Sequence, residues 1–187
     1  MDTPPRLAPL LAQFDFALDR LLTRLDGLTD TEYLWEPVPG CWSIRPRAQT
    51  PANLAFGGGD WVLEVARPAP DPPPFTTIAW RLCHLAVYMH LRADYTIGTK
   101  ALDWKTFMIP ATATAATSTL VTAGGFWREA LTSADDTALD QVGRSTFPWG
   151  LDPTLPFLDI SWWVNQELLH HGGEIALLRD LYRATPR

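Results

Sequence analysis

Apolar side chains recur at three-and-four spacing near the start of the chain: Leu7, Leu10 or Leu11, Phe14, Ala17 or Leu18, Leu21, Leu25 and Leu28. Asp15, Asp19, Arg20 and Arg24 fill the other side, so the pattern predicts a long amphipathic helix. Thr29 and Glu32 then form a capping box for a short turn, and three prolines after Glu36 break regular structure in EPVPGCWSIRP. From Arg45 to Phe75 the text is loop-like, with three consecutive glycines at Gly57, Gly58 and Gly59 and seven prolines; only WVLEVA has the composition of a short strand. Thr76 or Thr77 caps a second long helix, IAWRLCHLAVYMHLRADYTI, that stops at Gly98. A third helix falls within Thr112 to Ser133, although five threonines before Gly124 lower its intrinsic propensity. Asp135 to Pro153 reads as loop, and a fourth long helix runs from about Leu155 or Pro156 to Tyr182. Four helices joined partly by long connections predict an all-α, up-down four-helix bundle with its loops covering one end.

The polar residues inside the apolar stripes carry the functional information. With Ile160 at zero and about 100° per residue, the apolar side chains of the last helix fall mostly between about 260° and about 80°. Glu167 then lies at about 340°, His171 at about 20° and Glu174 at about 320°, inside that arc, while His170 sits at its edge at about 280°. Ser161, Asn165, Gly172, Gly173, Arg179, Asp180 and Arg183 are assigned to the opposite, polar face. Trp162 and Leu169 break that face and could meet a loop or a second subunit, so a homodimer fits the pattern. In the second long helix Trp80, His84, Val87, Tyr88, Leu91 and Tyr95 share a stripe with His84 at its middle, and His90 is well off it. His84 and His171 are therefore expected to project towards the same interior.

A buried carboxylate costs several kcal/mol unless it is protonated, paired or bound to a cation. Glu167 and His171 at i,i+4 present an oxygen and a nitrogen from successive turns, and His84 adds a nitrogen from a neighbouring helix. Two solutions satisfy this: a divalent metal held by His84, Glu167 and His171, or a hydrogen-bonded Glu167 and His171 pair with His84 satisfied elsewhere. Two nitrogens and one oxygen suit Zn2+ first, with Ni2+, iron or manganese compatible by ligand type, and three protein ligands leave a position open. His170 is expected outside this set, with Glu174 one turn on as its partner.

Composition narrows the classes further. A length of 187 residues with 47% hydrophobic and 19% charged residues is ordinary for one globular domain spanning 1–187. The net charge of -6, with no clustered basic stretch, argues against nucleic acid as a partner. No stretch has the apolar length of a membrane span, and the N-terminus lacks the plan of a signal peptide. Cys41 and Cys83 form no C-x-x-C pair and read as free thiols, which suits a cytoplasmic location. Nine tryptophans read mainly as anchors of core and loops, with a few facing a substrate. Sharper chemistries fail: Glu167-x-x-His170 has no second copy for a di-iron site, no H-E-x-x-H occurs, and FGGGD lacks the lysine of a phosphate-binding loop. Cys83 and His84 are sequence neighbours on a helix and do not face each other as a nucleophile and base would.

The segments LTDTEYLWEPVPGCWSIRP, PPPFTTIAWRLCHLA and WWVNQELLHHGGEIALLRDLY, spread from Leu28 to Tyr182, resemble the DinB-like (DinB/YfiT) superfamily of small bacterial four-helix proteins. The resemblance implies one metal-binding histidine on the second long helix and an H-x-x-x-H or E-x-x-x-H pair on the last, which His84, Glu167 and His171 match. The glutamate-containing version is similar to that of mycothiol-dependent maleylpyruvate isomerase, and other relatives transfer bacillithiol or mycothiol to electrophiles. It implies a metal-dependent transferase joining a low-molecular-weight thiol to a small electrophile. The chain lacks the isomerase's C-terminal domain, and Arg45 to Phe75 looks like an insertion, so maleylpyruvate is not the expected substrate. A metal-dependent hydrolase with Glu174 as the nearest general base, and a non-enzymatic metal-binding or stress-related protein, are the alternatives.

Overall fold

The computed structural model describes residues 3–146 and 153–186. Four long helices dominate it: α1 (Ala8–Leu25), α3 (Ile78–Ile97), α4 (Ala113–Thr132) and α5 (Phe157–Ala184), with a single turn α2 (Asp30–Tyr33) after α1. Each long helix packs on two others, α1 on α4 and α5 and α3 on α4 and α5. Leu11, Phe14, Ala17, Leu21 and Leu25 bury the apolar stripe of α1, as its spacing predicts. Helix starts also follow the sequence. Thr29, Thr77 and Thr112 each accept a hydrogen bond from the backbone N–H three residues on, at 3.2 Å in every case. The threonines of α4 are accommodated because Thr117, Thr119 and Thr122 donate their hydroxyls to the carbonyls four residues back.

The structure corrects the all-α expectation: the chain is mostly helical and carries a three-stranded antiparallel sheet. Strands β1 (Ile44–Pro46), β2 (Leu54–Phe56) and β3 (Trp61–Val65) have the order β1-β3-β2, with Leu63 opposite both Ile44 and Phe56. Only β3 has an apolar run long enough to register as a strand; its partners are three residues each. The buried Glu64 carboxylate ties the sheet together, accepting from the Ser43 backbone N–H at 2.9 Å, Arg45 Nε at 3.0 Å and Thr50 Oγ1 at 2.9 Å. The carbonyl of the same residue accepts from Trp80 Nε1 at 2.8 Å, and the hydroxyls of Ser43 and Thr77 lie 2.9 Å apart. These bonds fix the sheet on the first turn of α3, one turn before His84.

A second correction concerns the rotation of α5. Its buried residues include Ile160, Ser161, Val164, Asn165, Leu168, Ile175, Leu178, Arg179 and Tyr182, which span about 0° to about 140° in the sequence frame. Ser161, Asn165 and Arg179, assigned above to the solvent face, are buried because each finds a partner. Ser161 Oγ donates to the Phe157 carbonyl, and Asn165 Nδ2 donates to the Leu10 carbonyl at 2.8 Å. Arg179 is 1% exposed; its Nε and Nη2 donate to the two oxygens of Glu32 at 2.7 and 3.1 Å, and its Nη1 donates to the carbonyls of Arg24 and Asp26. The core-facing arc is thus rotated by roughly 80° from the apolar-only reading.

Removing one partner of a buried ion pair leaves the other uncompensated, whereas exposed pairs contribute little. Arg179→Ala is expected to lower unfolding free energy by about 3–5 kcal/mol in urea denaturation. Arg128→Ala, which breaks the exposed pair with Asp15, should cost less than about 1 kcal/mol. Equal effects would contradict the placement of Arg179 as a buried lock between α5 and the end of α1.

Candidate metal centre

The rotation of α5 decides how deep each polar residue lies. His171, at about 20°, is just inside the buried arc, Glu167, at about 340°, is at its border, and Glu174 and His170 fall progressively outside it. Side-chain exposure rises in that order, 12% for His171, 19% for Glu167, 32% for Glu174 and 62% for His170. Glu167 and His171 therefore sit at the edge of the core facing α3.

There they meet His84. Its Nε2 is 3.2 Å from Glu167 Oε2, and His171 Nε2 is 3.4 Å from the same oxygen. One ligand atom from each of His84, Glu167 and His171 lies within 4.8 Å of the other two. Burial alone would raise the Glu167 carboxyl, but its hydrogen bonds with His171 and His84 prevail and hold it at about 2. Burial also pulls His84 below the ordinary imidazole range, against the opposing effect of its hydrogen bond to Glu167. The result is an ionised carboxylate between imidazoles, a donor set of two nitrogens and one oxygen.

Glu174 supports this group. Its Oε2 is 2.7 Å from His171 Nδ1, its Oε1 is 3.3 Å from His170 Nε2, and Arg81 Nη1 is ion-paired to it. His171 Nδ1 lies between this carboxylate, at 2.7 Å, and Arg81 Nη1, at 3.1 Å, so the ring is held from its outer side. A carboxylate on the outer nitrogen of a metal-ligating histidine is the usual arrangement in metal sites. The spacing argument thus found one of two partners: Glu174 holds both histidines, through different oxygens. Its two histidine contacts and Arg81 also leave it poorly placed as a general base. His170, His171 and Glu174 form a second acidic and imidazole group, more open to solvent, that shares His171 with the first.

The remaining candidates separate cleanly. His90 packs against Phe107 and Phe126, with ring centroids at 5.8 and 5.0 Å, away from the other histidines. Cys83 faces the Tyr33 hydroxyl at 3.4 Å instead of His84, and burial pushes its thiol up to about 12. Both cysteines are free and buried. Arg81 was not singled out by periodicity. Its signal was a charge at a buried register, one turn before His84 in an otherwise apolar helix.

A cavity of about 490 Å3 opens beside His84. Trp80 stacks on the imidazole at 4.9 Å and 13°, and Tyr88 meets it edge-on at 4.5 Å. Trp80, His84, Tyr88 and Arg92, spaced four residues apart along α3, all line this space. With this geometry in place, the comparison with known families is direct: the sequence profile of the DinB superfamily matches residues 13–175. The chain belongs to the DinB superfamily. No curated protein and no solved structure matches it. The superfamily and the clustered histidine and glutamate side chains together suggest a divalent metal. No helix among the described residues is long and apolar enough to cross a membrane.

Proposed function

We propose that the four long helices form one up-down bundle domain, and that His84, Glu167 and His171 hold a single divalent ion, Zn2+ foremost, for transfer of a low-molecular-weight thiol to a small electrophile. The observation that carries this reading is the convergence of two imidazole Nε2 atoms on one Glu167 oxygen, at 3.2 and 3.4 Å, beside a cavity of ligand size. The donor set fits such an ion, and the Glu174 carboxylate on the outer nitrogen of His171 fits it again. A bound divalent ion with an open position would lower the ionisation threshold of a thiol, whose thiolate is the competent nucleophile.

The chain's own groups do the positioning. Glu174, anchored by Arg81, holds the tilt of His171, and Trp80 holds His84 by stacking. The aromatic cavity receives the electrophile and limits water beside the sulfur. In the transfer the S–H bond breaks and its proton passes to solvent, the sulfur electron pair forms a bond to the electrophilic carbon, and the leaving group departs with its own pair. With monochlorobimane the products are a bimane thioether, chloride and a proton.

Three outcomes test this. Chelated protein is expected to regain about one Zn2+ or Ni2+ per chain by elemental analysis. At a free ion concentration about 100 times the dissociation constant, its thermal midpoint should rise by roughly 5–10 °C. Protein that takes up no metal and melts unchanged would remove the proposal.

Side-chain replacements should rank by atom position. His84→Ala, Glu167→Ala and His171→Ala should each abolish stoichiometric binding in chelator competition. Glu174→Gln is expected to weaken it about ten- to hundredfold through loss of the His171 support. His170→Ala should stay within about tenfold of the parent. If His170→Ala loses the metal while His171→Ala keeps it, the ligand assignment fails.

In the third test, metal-loaded protein should conjugate mycothiol to monochlorobimane at least tenfold faster than glutathione, and Glu167→Ala should lose that activity. Equal turnover by metal-free protein would refute the role given to the centre.

A further inference from the structure

The walls of the cavity say more about its occupant than the metal-ligand set does. Six aromatic side chains line it: Trp42, Phe56, Trp80, Tyr88, Trp104 and Trp163. They are held against one another, Phe56 on Trp104 at 5.3 Å, Tyr88 on Trp104 at 5.1 Å, Tyr88 on Trp163 at 5.1 Å and Trp42 on Trp80 at 6.2 Å. The wall beside them comes from the sheet, through Leu63 and Val65, and from Ala66 just after it. The charged residues among the described lining are Arg67 and Arg92, and no carboxylate is among them. Arg92 is built into the wall, its Nη1 donating to the Ser145 carbonyl at 2.7 Å and its guanidinium lying 5.3 Å from the Trp163 ring centre.

Each feature selects. Flat, rigid aromatic faces set at defined tilts reward planar apolar ligands through stacking and edge contacts, at little entropic cost to the protein. A volume of about 490 Å3 lies within the usual range for small-molecule sites, roughly 300–1,000 Å3.

We infer that this cavity binds a planar aromatic compound, and that the three-stranded sheet is the element that makes it selective. The inference rests on the proposed function for its catalytic meaning, since the aromatic compound would be the electrophile set beside His84. Binding itself needs no metal, and the test is read on metal-free protein for that reason.

Calorimetric titration of the chelated full-length chain with 2-naphthol and with its saturated, non-planar counterpart decahydro-2-naphthol is the measurement. 2-Naphthol should bind in the micromolar range, and the saturated alcohol at least tenfold more weakly. In proton–nitrogen spectra the indole N–H signals of Trp80, Trp104 and Trp163 should shift, while that of Trp162, on the exposed side of α5, should not. Ala66→Trp fills the cavity from the sheet side and should reduce 2-naphthol affinity at least tenfold while leaving metal uptake intact. The indole shifts stand as an independent readout should that variant fold poorly. Absence of naphthol binding, equal binding of the saturated alcohol, or shifts confined to Trp162 would each overturn the inference. Failure to bind metal with naphthol binding intact would instead reject only the proposed function.

Discussion

A carboxylate oxygen set between two imidazole nitrogens, on helices that start some eighty residues apart, is the constraint around which this end of the molecule is organised. It lies at the edge of the core, where a charge keeps part of its hydration and neighbouring hydrogen bonds can hold it ionised. Moving Glu167 one residue along α5 would turn it about 100° away from His84. The pairing therefore fixes both the rotation of α5 and its register against α3. The surrounding bonds serve the same end: Glu32 and Arg179 pin the far part of α5 to the end of α1, and Glu64 with Trp80 pins the start of α3 to the sheet.

What was legible in the sequence follows from what is local. Helix starts were readable because a threonine cap acts within three residues, and Thr29 and Thr77 behave accordingly. The approach of His84 to Glu167 and His171 was readable because both stripes must face the core. The rotation of α5 was not, because a hydrophobicity pattern places Ser161, Asn165 and Arg179 outside. Their partners, the Leu10 carbonyl and the Glu32 carboxylate among them, lie on other elements. Polar residues with distant partners mislead a periodicity argument by construction. His84, Glu167 and His171 still come together because His171 and Glu167 lie where the true and inferred arcs overlap or adjoin.

The sheet was hidden for a different reason. Strands of three residues, one of them ending in Pro46, carry no usable alternation, and their stability comes from Glu64, a buried acid that composition alone would place in solvent. Yet this segment supplies the part of the cavity wall that helices cannot. A bundle helix offers a site one side chain per turn, whereas the sheet and the chain leaving it bring Phe56, Leu63, Val65 and Ala66 to a single cavity. The loop-like text between Arg45 and Phe75 thus builds one wall of the cavity.

Charge then links the cavity to the proposed centre. Glu167 and Glu174 contribute two negative charges and Arg81 one positive, leaving the group one negative charge before any ion binds. Burial lowers the Arg81 guanidinium to about 10, which still leaves it charged at neutral pH. A divalent ion held by His84, Glu167 and His171 would reverse the sign to one positive charge, and a thiolate would neutralise it. Without Arg81 the same ion would only bring the group to neutrality, and an incoming thiolate would leave uncompensated negative charge in a partly dry site. On this accounting Arg81, which contributes no ligand atom, would tilt the proposed centre towards an anionic nucleophile.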